Sequence, residues 1–287
     1  MAAGKRWTRA LTAALLIAAL SGCGAPEAET PPETPGTEEE FTVDSLSTGK
    51  SDRALLRADG TVILSDTADA DDFAAIAELL DSCGIGRIDY MILSHYDKDH
   101  IGSAAALVRA YEVGEILAPD YGEQSEEYAA LLAACADTGT PWRRLTEDYR
   151  AELPNGTLLV DPPDRDYGDD NNNSLITTVT WKGERLLFLG DAKKKRMEEF
   201  LDAAEESYTL IKLPHHGDSC KPLLRLVEDT EPRWAVEMIS VFEIVDQELL
   251  RTLEKTGTEL FLTRDGPIRL AWDGTALTAV QDREAAA

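Results

Sequence analysis

Histidine is scarce in this chain, with four copies in 287 residues. They fall in two short stretches, His95 with His100 and His215 with His216, so any imidazole site must be assembled from these. Cysteine is equally sparse. Its four copies, at 23, 83, 135 and 220, lack the close spacing of a zinc cluster, which excludes a thiolate metal site. Three separate, partly buried thiols, Cys220 among them, are the preferred reading, with a Cys83 to Cys135 bridge as the alternative open to an exported protein. Positive charge is short as well: 28 Lys and Arg stand against 54 Asp and Glu, a net of −26. Such a field repels polyanions, so extended nucleic-acid binding and contact with an anionic bilayer are disfavoured. A small or short anionic substrate is still admitted, because a bound cation dominates its local field.

The N-terminus carries Lys5, Arg6 and Arg9, then the apolar run Leu11 to Leu20, then Leu20-Ser21-Gly22-Cys23. The run is too short to span a bilayer, and the layout reads as an export signal over residues 1–22. Its ending resembles a bacterial lipobox, which implies a lipid on Cys23 and a chain anchored at the extracytoplasmic face of the cell membrane. Residues 23–40 follow with four prolines and six glutamates but no large apolar side chain, the composition of a disordered acidic tether. The folded domain is expected over 41–287.

Within it, short apolar segments alternate with amphipathic ones. Strands are predicted over 41–46, 53–57 and 61–64, with Asp59-Gly60 as a hairpin turn. A helix over 71–83 precedes a strand over 87–93, and a helix over 104–111, a strand over 115–118 and a helix over 125–136 follow. Residues 142–148 read as irregular. Strands over 157–160, 174–181 and 185–189, a helix over 192–206 and strands over 208–213 and 234–239 come next. A helix over 246–255 and three closing strands finish the chain. Strands outnumber helices and the helices lie between strand groups, which points to two sheets with helices outside.

The densest chemistry is in Ser94-His95-Tyr96-Asp97-Lys98-Asp99-His100-Ile101-Gly102, between an apolar strand and an alanine-rich helix. His95, Asp97 and Asp99 alternate along a strand end and His100 opens the helix, so four donors can converge. Two imidazoles among carboxylates suit zinc, manganese or iron better than magnesium or calcium. The competing reading is a polar turn with Asp99 as helix cap.

Other polar groups also follow apolar strands. Gly190-Asp191 is either a helix cap or a ligand. His215-His216-Gly217 suits metal or proton chemistry. Asp66 is a turn residue or a partner that orients a liganding histidine. Asp169-Asp170-Asn171-Asn172-Asn173-Ser174 is a turn by composition. The basic cluster Lys193-Lys194-Lys195-Arg196 reads as a solvated helix face.

Taken in order, Asp66-Thr67-Ala68, the 94–102 stretch, Asn172-Asn173-Ser174-Leu175, Gly190-Asp191 and Pro214-His215-His216-Gly217 resemble the metallo-β-lactamase superfamily, and within it the branch of the competence protein ComEC. The resemblance implies an α/β fold, an αββα sandwich of two mixed β-sheets flanked by helices, with one or two divalent ions, zinc first, at one edge. It implies His95 and Asp97 on one ion, Asp99 and His100 on the other and Asp191 between them. His215 would be a ligand, and Asp99 and His216 would act on water and leaving group. Asp66, Asn173 and Ser174 would support ligands or substrate. Three positions depart from the pattern. Asn or Ser fills the place of a third histidine, Phe242-Glu243-Ile244-Val245 stands where Gly-His-Pro-His is usual, and Asp218 replaces a serine. The implied activity is hydrolysis of a phosphodiester or related ester; a degenerate binding module on the same fold is the alternative.

Overall fold

The computed structural model describes residues 40–45 and 49–283; the expected export signal, Cys23 and all but the last residue of the expected tether lie outside the described residues. None of the described helices is long and apolar enough to cross a membrane.

Asp59 and Gly60, both at positive φ, close the hairpin between β2 (Ala54–Ala58) and β3 (Thr61–Ser65). β1 (Phe41–Ser45) lies against β2, and β4 (Arg87–Ile92), β5 (Glu112–Pro119) and β6 (Trp142–Leu145) extend from β3 in parallel. β14 (Ile268–Trp272) and β15 (Leu277–Gln281) complete an eight-stranded sheet beyond β1. The second sheet has seven strands. β7 (Tyr149–Leu153), β8 (Gly156–Asp161), β9 (Ile176–Trp181) and β10 (Glu184–Phe188) form an antiparallel meander, and β11 (Leu210–Lys212), β12 (Trp234–Glu237) and β13 (Glu259–Leu262) add in parallel.

Neighbouring strand residues serve opposite layers. Leu56 and Ile63 face the second sheet, whereas Leu55 and Leu64 face helices. Both faces being buried explains why these strands read as unbroken apolar runs. Helices α1 (Phe73–Ser82), α3 (Ala104–Ala110) and α4 (Glu126–Thr138) cover the first sheet, and α5 (Lys194–Phe200), α6 (Lys221–Thr230) and α7 (Gln247–Thr256) cover the second. The αββα sandwich is as expected. Trp181 pins its middle, stacked 5.0 Å from Phe41, edge-on 5.2 Å from Trp272, and donating from Nε1 to Asp59 Oδ2 at 2.7 Å.

Several expectations need correction. The irregular region at 142–148 contains β6 and runs into β7, the edge strands of different sheets, so the chain crosses between sheets there. Short edge strands offer a weak signal: β6 buries only Leu145, and β7 alternates but brings just Tyr149, Ala151 and Leu153 to the core. The helix expected over 192–206 contracts to α5, and α6, opening with Pro222 in its first turn, was not anticipated. Arg196 is buried rather than solvated: it donates to the carbonyls of Ser174 at 3.0 Å and Asp161 at 2.7 Å and pairs with Glu199. The cysteines need no correction: Cys83, Cys135 and Cys220 are free thiols, the preferred of the two readings.

Candidate metal centre

The 94–102 stretch leaves β4 and turns into α2 (Lys98–Ile101). Asp97, not Asp99, occupies the N-cap, and it makes no side-chain capping bond, so neither carboxylate is consumed by the helix end. Backbone bonds clamp the stretch to other loops: Thr67 N–H donates to His100 O at 2.7 Å, Asp52 N–H to Asp99 O at 3.1 Å, and Leu175 N–H to Ser94 O at 2.8 Å. Gly190, at φ +51°, brings the end of β10 onto Ser94; a Cβ there would lie 2.6 Å from Ser94 Cβ. Only glycine permits that approach.

Hydrogen bonds fix what each imidazole presents. The Asp66 carboxylate accepts from Ser94 N–H at 2.7 Å and Ser94 Oγ at 2.8 Å, and lies 3.0 Å from His100 Nδ1. Since Ser94 Oγ spends its proton on Asp66, it accepts from His95 Nδ1 at 3.1 Å. His216 Nδ1 lies 3.1 Å from the carbonyl of Met238, which can only accept. All three rings therefore carry hydrogen on Nδ1 and offer the Nε2 lone pair inward. Asp66 is thus an orienting group rather than a plain turn residue.

The second sheet supplies the facing groups from the ends of β10 and β11. Asp191, 2 % exposed, places Oδ1 at 3.5 Å from His100 Nε2 and Oδ2 at 3.6 Å from His216 Nε2. Its backbone N–H donates to Ser174 Oγ, and α5 begins only at Lys194, so Asp191 is not a helix cap. Burial opposes ionisation of Asp191, but His100 outweighs it and holds the carboxyl below the usual range. Burial likewise opposes charge on His100, and Asp191 with Asp66 outweighs that too, holding the imidazole well above its ordinary value. The surroundings of His100 are thus built to stabilise positive charge. At His216 burial prevails and the pKa falls.

Beside this lies a buried pair not anticipated from the sequence. Lys212 Nζ contacts Asp52 Oδ2, donates to Gly190 O at 3.0 Å and lies 3.9 Å from Asp191 Oδ1. Burial pushes the Lys212 ammonium down to about 7, while the Asp52 carboxylate against it favours the charged form. A lone lysine in the apolar run Leu210-Ile211-Lys212-Leu213 was the available clue. Asp52 had none, sitting in an ordinary polar turn.

The donor set fits a divalent cation. His95 Nε2 and His100 Nε2 are buried and lack any hydrogen-bond partner, and a ring nitrogen of each residue lies within 4.8 Å of the other's and of a carboxylate oxygen of Asp191. Asp99, His100 and His216 make a second such group, and Asp52, Asp66 and His100 a third. Asp97 Oδ2 lies 3.4 Å from His95 Nε2, and this contact holds its pKa below the usual range. His100 has only one free nitrogen, so it can serve one group at a time.

Two expected placements change. His216 rather than His215 turns its ring into the cluster; His215 joins through its backbone N–H, 3.1 Å from Asp191 Oδ1, and its ring lies 3.4 Å from Asp218. Both residues sit at positive φ, which turns successive side chains apart. Asn173 is spent elsewhere, accepting from Tyr167 N–H and donating to Asp166. Ser174 supports a ligand, its Oγ accepting from the Asp191 backbone N–H at 3.2 Å.

A family model described as the metallo-beta-lactamase superfamily matches residues 51–234. The chain belongs to that superfamily. Recombination protein 2 of Haemophilus influenzae is 26% identical over 201 residues, 68% of this chain and 24% of that protein. ComE operon protein 3 of Bacillus subtilis is 23% identical over 155 residues, 53% of this chain and 20% of that protein. The chain thus spans about a quarter or less of the length of the curated relatives it matches. These relatives agree with the ComEC-like branch read from the motifs. In fold, the metallo-beta-lactamase fold protein YhfI of Bacillus subtilis superposes with a TM-score of 0.57 at 13% identity, covering 81% of this chain and 99% of that one.

Proposed function

We propose that this chain is a metal-dependent hydrolase, lipid-anchored through Cys23 at the outer face of a bacterial membrane, acting on a small or short phosphodiester or related ester. The observation that carries the reading is the convergence of three Nε2 lone pairs with Asp191 at the strand ends. His95, His100 and Asp191, with Asp97 alongside, would hold one ion, zinc by donor type with manganese or iron also suited. Bound there, it supplies Lewis acidity and a water acidified toward neutral pH. Because His100 serves that ion, Asp99 and His216 are left for chemistry or for a weakly held second ion.

Asp99, its Oδ2 at 3.8 Å from His216 Nε2, accepts the proton of the attacking water. The lowered pKa of His216 keeps it neutral, which suits a lone-pair donor better than an acid. His215, partly exposed in a cavity of about 330 Å³ with Lys50 and Asp218, is the better placed proton donor for a leaving group.

Metal content after reconstitution with zinc, manganese or iron, paired with turnover of bis(p-nitrophenyl) phosphate, tests the proposal. Stoichiometric metal and turnover abolished by Asp99→Asn and by His100→Ala are expected; a folded protein that takes up no metal overturns it. The alternative, a degenerate binding module, draws support from the 240–246 segment, which offers no imidazole. Metal uptake without turnover of any ester would favour it.

A further inference from the structure

Five large apolar side chains are exposed among the described residues, and three share one loop beside the candidate centre: Val241 at 69 %, Phe242 at 93 % and Ile244 at 87 %. The loop is held in place. Glu243, between these residues, accepts from Ser240 N–H at 3.1 Å and Oγ at 3.0 Å and pairs with Lys50, and its carbonyl accepts from Arg264. Asp246 caps α7 by accepting from Glu248 N–H and Leu249 N–H. Polar groups are thus used to anchor the loop while apolar ones face water, the reverse of an ordinary surface turn. Ile244 and the buried Ile239 line the same cavity as His215, His216 and Lys50.

We propose that Val241, Phe242 and Ile244 form an apolar subsite that receives a hydrophobic aryl or acyl group of the substrate, next to the anionic centre held near Lys50 and His215. The inference rests on the hydrolase reading of the neighbouring residues. Ile244, alone of the three, lines the cavity that holds the His215 and His216 rings, and that position favours a substrate group as occupant, with Val241 and Phe242 on the same loop beside it. A net charge of −26 works against an anionic bilayer, and three side chains are few for a stable dimer, whose interface buries on the order of 1,600 Å².

Calorimetric titration of the zinc-loaded protein with phenylphosphonate and with methylphosphonate tests it, alongside the double variant Phe242→Ser/Ile244→Ser. Both positions are exposed, and thermal melting checks that the variant is folded. The wild type is expected to prefer phenylphosphonate about tenfold or more, a difference of about 1.4 kcal/mol. The variant should bind both alike, with methylphosphonate affinity unchanged. Absence of the preference in the wild type, or its survival in the variant, overturns the subsite. Cosedimentation with phosphatidylcholine vesicles that the variant abolishes, without any ligand preference, overturns it in favour of a bilayer. The two readings fail separately: methylphosphonate binding without aryl preference removes the subsite, whereas absence of ester turnover removes the hydrolase.

Discussion

The two sheets furnish the candidate centre by different physical means. From the first come His95 and His100, both fully buried, with each Nδ1 held through Ser94 and Asp66. From the second come Asp191 and a turn at His215 and His216 with φ of +45° and +55°. That conformation costs roughly 1–2 kcal/mol per non-glycine residue. It persists because Gly217 packs onto Glu237, where a Cβ would lie 2.5 Å from Glu237 Cδ, and because Asp191 accepts from His215 N–H. One side is a rigid receptacle fixed by hydrogen bonds. The other is a strained turn pressed into place by packing and buried charge, and it carries the groups that face the cavity.

The largest test of this contrast is Asp52→Ala. It leaves Lys212 buried without its carboxylate, and breaking a buried pair this way costs about 3–5 kcal/mol. Chemical denaturation should show that loss, whereas replacing both residues by apolar ones of similar volume should recover most of it. A loss below about 1 kcal/mol would mean that the pair does not secure the second side.

Next comes Glu237→Gln. Burial raises the Glu237 carboxyl to about 7 from an ordinary 4.5, and its Oε2 lacks a hydrogen-bond partner. The folded state therefore holds this proton more tightly than the unfolded chain. Its contribution to stability is complete below about pH 4.5 and is lost as pH rises through 7, by up to about 3 kcal/mol. The variant should be more stable than wild type at pH 9 by about that amount and equal to it at pH 4. Parallel stability curves for the two proteins would contradict the assignment.

What could be read in advance divides along the same line. The first side is nearly all local: four residues separate His95 from His100, an apolar strand precedes them, and only the hydrogen-bonding partner Asp66 is remote. The second side is assembled across the sandwich, so Asp52 and Lys212, 160 positions apart, could not be paired from spacing. Fold followed the same rule. Strands buried on both faces announced themselves as apolar runs, while β6 and β7, on sheet edges, did not. The roles of His215 and His216 were exchanged because adjacent residues give no clue to which ring turns inward until the backbone φ is known.

On the first side, Asp66→Asn removes the acceptor that sets the His100 tautomer without changing volume. An amide can turn its NH2 toward Nδ1, which would put the hydrogen on Nε2 and block the lone pair. Zinc affinity, measured against a competing chelator, should fall about 10–100-fold, the range seen when a ligand's orienting partner is lost. Affinity unchanged within threefold would show that Ser94 suffices.

The smallest expected effect on metal is at His215. Its ring lies beside Asp218 and the cavity, outside all three groups of converging donors among the described residues, and its link to Asp191 runs through the backbone, which substitution preserves. His215→Ala should leave zinc affinity within about threefold of wild type. As the proton donor for the leaving group, however, it should matter to turnover by about 10²-fold, the lower end for general acid catalysis. That loss should be greatest for esters with poor leaving groups and slight for p-nitrophenyl esters, which depart without a proton. Separate measurement of zinc affinity and of turnover on the two ester types distinguishes this role from that of a ligand. A variant that loses zinc and both activities together would place His215 inside the receptacle and erase the division between the two sides.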